Sequence, residues 1–99
     1  MTAVSLDTTM VVPEDVVFRE LDGEVVILNL ASGVYFGLDP VGTRIWSLLA
    51  ESNPIARVID LMRSEYDVDR AVLERDVLEL AAELLDKGLV AVKPPEGSA

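Results

Sequence analysis

Residues 33–49 read GVYFGLDPVGTRIWSLL, and this stretch decides the fold. It joins a short run rich in β-branched and aromatic residues to an amphipathic run with helical spacing. The two runs meet at Asp39-Pro40, where Asp39 is a favourable N-cap and Pro40 stands at the first helical position, at which a missing N–H costs nothing. The stretch therefore predicts a strand over Val34 to Leu38, followed by a first helix over Pro40 to about Ala50.

Two further strands are predicted on the N-terminal side. VVFREL, from Val16 to Leu21, and EVVILNL, from Glu24 to Leu30, flank the pair Asp22-Gly23. Such a pair is typical of a two-residue hairpin, because both turn positions need positive φ. The three strands form an antiparallel meander with EVVILNL in the middle. Its near-continuous apolar run predicts that both faces of this strand are covered.

The cap-and-proline device appears a second time on the C-terminal side. Asn53 is a predicted N-cap and Pro54 a first helical residue, so a second helix is expected from Pro54 to about Tyr66. The stretch Asp67–Asp69 ends this helix and supplies the cap of the next one.

A third helix is expected from about Arg70 to Lys87, where Gly88 ends it in the position preferred by glycine. Its apolar residues cover about half of the helical circumference, more than the ~100° that a surface helix needs. Two interpretations of the flank at Val72 and Leu78 stay open: it borders the core, or it remains exposed as the wall of a groove. The residues predicted to lie in the core are Leu73, Val77, Leu80 and Leu84.

The order of elements predicts an α+β fold: a winged helix-turn-helix with an N-terminal three-stranded antiparallel sheet, three helices and a short C-terminal strand at Leu89–Val92. At 99 residues the chain makes one domain. We expect a mostly irregular segment over residues 1–15, the domain over 16–92 and a flexible tail over 93–99.

Several side chains of the helices have predicted structural partners. Trp46 is expected to anchor the first helix in the core, and Arg44 is expected to pair with a surface acid. Charges four residues apart support a helix. Arg75–Glu79 and Glu83–Lys87 have this spacing and therefore give the third helix mild support.

Composition excludes several classes of function. Eighteen acids against eight bases leave a net charge of -10, whereas a nucleic-acid binder needs a basic surface. The chain has neither histidine nor cysteine, which removes the commonest general base and the usual zinc ligands. We therefore predict no catalytic residues, no metal site, no cofactor and no nucleic-acid partner.

The sequence also lacks membrane and export signals. It has no apolar run of about 18 residues, the length needed to span a bilayer. The start, MTAVSLDTT, has neither the basic beginning nor the apolar stretch of a signal peptide. The expected location is the cytoplasm, with no membrane partner.

An open strand beside a helix is a geometry that binds extended peptides. The edge VYFGL, Val34 to Leu38, is short, uncharged and free of proline, so nothing in it blocks pairing with an incoming strand. The other edge carries Arg19 and Glu20, which suit a solvated position. Since proline lacks an N–H, proline at Tyr35 or Phe36 is expected to abolish binding while the domain stays folded.

Four motifs together resemble the PqqD family of peptide chaperones, whose domain is also called the RiPP precursor recognition element. They are GVYFGLDPVGTRIWSLL, then EYDVD, ERDVL and KGLV, and the resemblance covers residues 16 to 92. It implies a winged helix-turn-helix that binds the leader segment of a ribosomally made precursor peptide. The stand-alone form with YFGLDxVGTRIW is similar to proteins of lasso-peptide biosynthesis.

The resemblance also implies a site and partners. In the family the leader is added as a strand beside the third sheet strand, against the last helix, and passes to a leader peptidase or another modifying enzyme. Two alternatives stay open: a chaperone for a pyrroloquinoline quinone precursor, and, from the fold alone, a DNA-binding winged-helix regulator. The predicted peptide-binding residues are Val34, Tyr35, Phe36, Gly37, Leu38, Val72, Arg75, Asp76 and Leu80.

Overall fold

Three antiparallel strands, three helices and a short last strand follow one another, which confirms the predicted α+β class and its order. The computed structural model describes residues 4–93. Its elements are β1 (Met10–Val11), β2 (Val16–Leu21), β3 (Glu24–Asn29), β4 (Tyr35–Gly37), α1 (Pro40–Ala50), α2 (Ile55–Glu65), α3 (Arg70–Asp86) and β5 (Ala91–Val92).

The main sheet has the order β2-β3-β4, with β3 in the middle as predicted. Its first turn is the expected hairpin, since φ is 54° at Asp22 and 80° at Gly23. A second, two-stranded sheet pairs β1 with β5. Met10, at the start of β1, is buried in the core, so part of the N-terminal segment belongs to the packed unit. The domain limits at 16 and 92 stay a prediction, and residues 94–99 of the expected tail lie outside the described residues.

The prediction that β3 is covered on both faces is wrong. Val25 and Ile27 are buried against the helices, whereas Val26 between them is 44% exposed. The helices therefore lie on one side of the sheet, which we call its inner face. Strand alternation and the pairing register place the following residues on the opposite, outer face: Val17, Arg19, Leu21, Val26, Leu28, Tyr35 and Gly37.

Both aspartate caps form as expected. The Asp39 carboxylate accepts a hydrogen bond of 2.7 Å from the Gly42 N–H at the start of α1. The Asp69 carboxylate accepts one of 2.8 Å from the Ala71 N–H at the start of α3. Pro40 stands at the first position of α1, as predicted.

The predicted Asn53 cap is wrong. Asn53 donates its amide to the Leu48 carbonyl at 2.8 Å, so it closes the end of α1 instead of opening α2. The N-cap of α2 is Pro54, which makes no side-chain hydrogen bond. Two backbone carbonyls of the N-terminal segment replace it: Thr8 accepts from the Ile55 N–H and Leu6 from the Ala56 N–H, each at 2.9 Å.

Gly88 ends α3 with a φ of 73°, which confirms the predicted glycine stop. The Gly88 N–H donates to the Leu85 carbonyl, and the Leu89 N–H reaches back to the Leu84 carbonyl at 2.9 Å. This is the Schellman pattern. It turns the chain so that Leu89 and Val90 are buried under the helices.

Trp46 is a core residue, as expected, and only 1% of it is exposed. Phe18 of β2 meets it edge-on, with ring centroids 5.3 Å apart at an interplanar angle of 74°. The indole N–H is buried and has no acceptor within residues 4–93. Apolar packing alone therefore holds this side chain between α1 and the sheet.

Arg44 pairs with a surface acid, as predicted. Its guanidinium donates to both carboxylate oxygens of Glu65 at 2.8 and 2.7 Å, joining α1 to the end of α2. These hydrogen bonds lower the pKa of Glu65. Because a lowered pKa favours the charged form, the contribution to stability is present above the unfolded pKa and is lost as the pH falls. The pair is well exposed, so that contribution is small.

α3 forms, but the pairs Arg75–Glu79 and Glu83–Lys87, whose spacing supports it, are not joined by ion pairs. Arg75 instead lies 3.5 Å from the carboxylate of its neighbour Asp76. Lys87 places its ammonium group 5.5 Å from the centre of the Phe36 ring, a cation–π contact with β4.

Replacing Trp46 by alanine should lower the free energy of unfolding by about 3–5 kcal/mol, because it empties a large site in the core. Chemical denaturation followed by circular dichroism measures this loss. Val41→Ala is the control, since Val41 lies on the exposed side of the same helix; its change should stay near 0.5 kcal/mol. Equal losses in the two variants would contradict the assignment of Trp46 as the anchor.

Candidate peptide-binding site

β4 is an open edge of the main sheet. Its register with β3 pairs Val26 with Gly37, Ile27 with Phe36 and Leu28 with Tyr35. Within residues 4–93, no strand pairs with the other side of β4. The backbone groups on that side are therefore available to another chain.

The hydrogen-bond pattern shows which groups these are. The Asn29 N–H donates to the Val34 carbonyl at 2.8 Å, and the Leu38 N–H donates to the Val25 carbonyl at 2.9 Å. In an antiparallel ladder such pairs alternate along the strand. The bonded pairs therefore include Phe36 with Ile27, so Phe36 directs its N–H and C=O toward β3. Tyr35 and Gly37 direct theirs away from the sheet.

Because of this alternation, proline at Tyr35 and proline at Phe36 have different effects, although the sequence alone predicts the same effect for both. Proline at Tyr35 removes an N–H from the free edge. Proline at Phe36 removes one from the ladder with β3 and so weakens the domain itself. The expectation that the domain stays folded therefore applies to Tyr35 and not to Phe36.

A cleft of about 350 Å³ lies beside this edge, between β4, the start of α1 and the middle of α3. Apolar and polar atoms contribute about equally to its walls, and Asp39 and Asp76 are among the lining residues. Of the predicted site residues, the structure brings five together here: Phe36, Gly37, Leu38, Asp76 and Leu80.

The other four predicted site residues lie outside the cleft lining. Val34 and Tyr35 are exposed, and Tyr35 is on the outer face of the sheet with 73% of its surface accessible. Val72 is exposed one helical turn before Asp76, so it extends the same side of α3 beyond the cleft. Arg75 is exposed beside Asp76.

Sequence reasoning missed the contribution of α1. Val41 and Ile45 line the cleft one helical turn apart, and Asp39 and Gly42 lie at its α1 end. The signal was present in their four-residue spacing, but the same spacing is equally typical of residues buried in a core. A Cβ on Gly42 would come within 3.2 Å of Asp39 and 3.3 Å of Leu38, so glycine permits this close approach.

Asn29 holds one end of β4 next to α3. Its side-chain oxygen accepts hydrogen bonds from the N–H groups of Ala31 and Ser32, at 2.9 and 3.1 Å, which orders the turn before β4. Its amide nitrogen donates to the Gly88 carbonyl at 2.9 Å, just past the end of α3. One side chain therefore joins the turn to the helix. A lone polar residue in the apolar run EVVILNL was the sequence signal for it.

Thr43 holds the other end. Its hydroxyl accepts a hydrogen bond of 2.8 Å from the Val25 N–H and donates one of 3.3 Å to the Leu38 carbonyl. Val25 lies in β3 and Leu38 directly follows β4, so α1 is joined to both strands. Thr43 is buried, which makes these hydrogen bonds costly to lose.

The described residues contain no arrangement for metal binding or membrane insertion. Within residues 4–93, no three acidic side chains come together as a metal site. No helix in the same range has both the length and the apolar character to cross a bilayer. What the site offers is a free strand edge and an adjoining cleft that contains apolar side chains, an arrangement suited to an extended peptide.

Comparisons with known proteins agree with this geometry. TbiB1, solved in complex with the TbiA(beta) leader peptide, is 43% identical to this chain, with a TM-score of 0.76 over 89% of this chain and 96% of TbiB1. A lasso peptide synthetase B1 complexed with the leader peptide is 27% identical, with a TM-score of 0.75 over 83% of this chain and 96% of its own.

Sequence comparison identifies the family. No curated protein matches the chain. The profile described as Coenzyme PQQ synthesis protein D (PqqD) matches residues 24–90, which include β3, β4, all three helices and both side chains that hold β4. The chain belongs to the PqqD family.

Proposed function

We propose that this protein binds the leader segment of a ribosomally synthesised precursor peptide, most specifically that of a lasso peptide. The observation that carries the proposal is the free edge of β4, whose outward N–H and C=O groups at Tyr35 and Gly37 lie beside a cleft lined by both apolar and acidic side chains. The two solved relatives, both complexed with a leader peptide, support it.

The leader adds as a fourth strand beside β4. It exchanges hydrogen bonds with the backbone of Tyr35 and Gly37, the two residues whose polar groups face outward. The leader residues opposite Phe36 and Leu38 point to the inner face and enter the cleft, where Leu80 and Ile45 supply apolar contacts. A suitable leader therefore carries apolar side chains at alternate positions.

α3 forms the far wall of this site. Leu80 and Asp76 line the cleft, and we extend the wall to Val72 and Arg75, which lie toward the start of the helix. The one-turn spacing of Val72 and Asp76 places both beside a peptide that continues past the end of β4.

The protein acts by binding and not by catalysis. Its sequence has no histidine or cysteine, and the site has no nucleophile with an adjacent base. We infer that the bound leader is passed to a leader peptidase or another modifying enzyme. Since the precursor is made on ribosomes, we place this encounter in the cytoplasm.

The outer face of the sheet is the surface we assign to that enzyme. Val17, Leu21 and Val26 are exposed there, with Val26 diagonal to the other two and paired with Arg19, although the protein carries a net charge of -10. A concentration of exposed apolar side chains on such a chain marks a contact surface. It also lies next to the edge at which the leader is added.

DNA binding is the less favoured function. In a winged helix the helix that would enter the major groove is α3, whose exposed side carries Asp76, Glu79, Glu83 and Asp86. These carboxylates would face the phosphates and repel them. A pyrroloquinoline quinone precursor fits the family name, but one of the two solved relatives, both complexed with a leader peptide, is a lasso peptide synthetase B1.

Tyr35→Pro should weaken leader binding at least about tenfold, because it removes an outward N–H and places the proline ring at the edge. Tyr35→Ala is the matched control, since it keeps the N–H, and should bind within about threefold of the wild type. Fluorescence anisotropy with labelled TbiA(beta) leader peptide measures this, and circular dichroism checks the fold.

The same titration separates peptide binding from DNA binding. Duplex DNA at low salt should not displace the peptide. If neither the TbiA(beta) leader nor any peptide from a displayed random library binds, the proposed function is wrong. If Tyr35→Pro binds as tightly as the wild type, the docking edge lies elsewhere.

Asn29→Ala should lower leader affinity about three- to tenfold, because two or three modest hydrogen bonds hold the β4 turn against α3. Ser32→Ala is the control: it removes a hydrogen bond to the Val34 N–H within the same turn and leaves the link to Gly88 intact. Calorimetric titration with the leader measures both. Equal affinities for the two variants would show that the link to α3 does not position the edge.

Val17→Asp should leave leader affinity within about twofold of the wild type but slow leader removal by the partner peptidase at least about tenfold, since it buries a charge in the proposed contact. Val68→Asp is the matched control, because Val68 is exposed to a similar degree, 40% against 45%, in the loop between α2 and α3. A cleavage assay with purified precursor and peptidase measures the rates. Unchanged cleavage with Val17→Asp would move the enzyme contact to another surface.

A further inference from the structure

Gly37 is a residue that the fold of this chain does not explain. It is the last residue of β4 and pairs with Val26 of β3, and at this position glycine lacks the side-chain packing that β-branched and aromatic residues supply. Its backbone has no positive φ, and a Cβ built on it meets nothing within 4 Å. Neither backbone conformation nor space within residues 4–93 requires a glycine here. A glycine inside a strand often marks the close approach of a ligand or another chain.

The missing side chain opens a gap on the outer face of the sheet. Val26 stands directly opposite Gly37 in β3 and is 44% exposed. The remaining two β3 residues that pair with β4 are opposite a side chain: Ile27 is opposite Phe36, and Leu28 is opposite Tyr35. The gap therefore runs from Val26, over the glycine backbone, to the free edge.

An added strand places one of its residues at the mouth of this gap. The N–H and C=O of Gly37 point outward, so they form hydrogen bonds with the leader residue that pairs with Gly37. The Cα atoms of such a pair are about 5.5 Å apart. Residues paired across neighbouring strands share a face, so its side chain lies on the outer face. Val26 then stands two strand spacings away, roughly 10 Å, with only the glycine between them.

We propose that Gly37 is a specificity-determining residue, and that the gap takes an aromatic side chain of the leader, which lies flat over the glycine and contacts Val26. A ring spans this distance and covers the exposed backbone, whereas a short aliphatic or polar side chain does not; aromatic residues paired with edge glycines stabilise sheets in this way. The proposal rests on the proposed strand addition and adds a second, outer-face contact to the cleft.

The proposal implies a pattern in the leader. Its residue paired with Gly37 is Phe, Tyr or Trp, and the residues directly before and after it point to the inner face and are apolar. The leader is therefore recognised on both faces of the enlarged sheet: its apolar side chains contact the cleft on the inner face, and its aromatic side chain covers the gap on the outer face.

The test uses peptides selected from a displayed random library against the wild-type protein. Binders should share an aromatic residue flanked by apolar ones. Replacing that aromatic by alanine should weaken binding to the wild type about tenfold, the effect of burying about 60 Å² of apolar surface. Against Gly37→Val, whose Cβ meets nothing within 4 Å and whose methyl groups occupy the gap, the aromatic and alanine peptides should bind within about twofold of each other. Val17→Ala, a control on the same face, should keep the tenfold difference.

The outcomes separate this proposal from the one on which it rests. If the aromatic peptide keeps its tenfold advantage on Gly37→Val, or if the selected binders show no shared aromatic, the gap does not determine specificity. If Gly37→Val weakens both peptides equally, Gly37 serves only the approach of the backbone, and the specificity proposal is wrong. If the selected peptides bind Tyr35→Pro as tightly as the wild type, strand addition itself fails.

Discussion

The Thr43 hydroxyl is the contact on which the rest of the structure depends. In a buried position it accepts a hydrogen bond from β3 at Val25 and donates one to Leu38 at the end of β4. α1 is thereby set against both strands at once, which brings Val41 and Ile45 to the cleft and Trp46 to the core. Asn29 makes the corresponding link at the other end, between the β4 turn and the end of α3. A strand of three residues is short. Because both of its ends are fixed by side chains, its free edge is presented in one orientation, and little ordering remains to oppose binding.

The placement of all three helices on one side of the sheet explains why this small domain has two surfaces to offer. The inner face, the cleft and the edge are continuous, and the outer face stays bare. Binding through backbone groups and apolar contacts needs no ionisable side chain, which agrees with a chain that has no histidine. A net charge of -10 is compatible with this mode of binding, because the strand edge itself carries no charge.

Local signals made much of the fold predictable from the sequence. Asp22-Gly23, Asp39-Pro40, Asp69 and Gly88 each act within a few residues, and each has the predicted role. Two predictions failed where the outcome depends on distant contacts. Asn53 serves the preceding helix because backbone carbonyls of the N-terminal segment occupy the start of α2. The apolar run of β3 does not reveal that helices cover one face only. The helix pairs of Arg75 and Lys87 yield to nearer partners, Asp76 and the Phe36 ring.

The candidate site divides in the same way. The strand edge was predictable, because an uncharged strand without proline can be recognised in the sequence. The outward direction of Tyr35 and Gly37 was not, since it depends on the register with β3, and neither was the wall from α1, which depends on how that helix packs. At Gly37 the local sequence and the folded structure have to be considered together. Local propensity disfavours it, and among residues 4–93 no close contact or positive φ compensates. Sequences that fold well are consistent at every level, so a local cost without a compensating gain inside the domain places the gain in a complex. The strand that is weakest alone is the one that a bound peptide would complete.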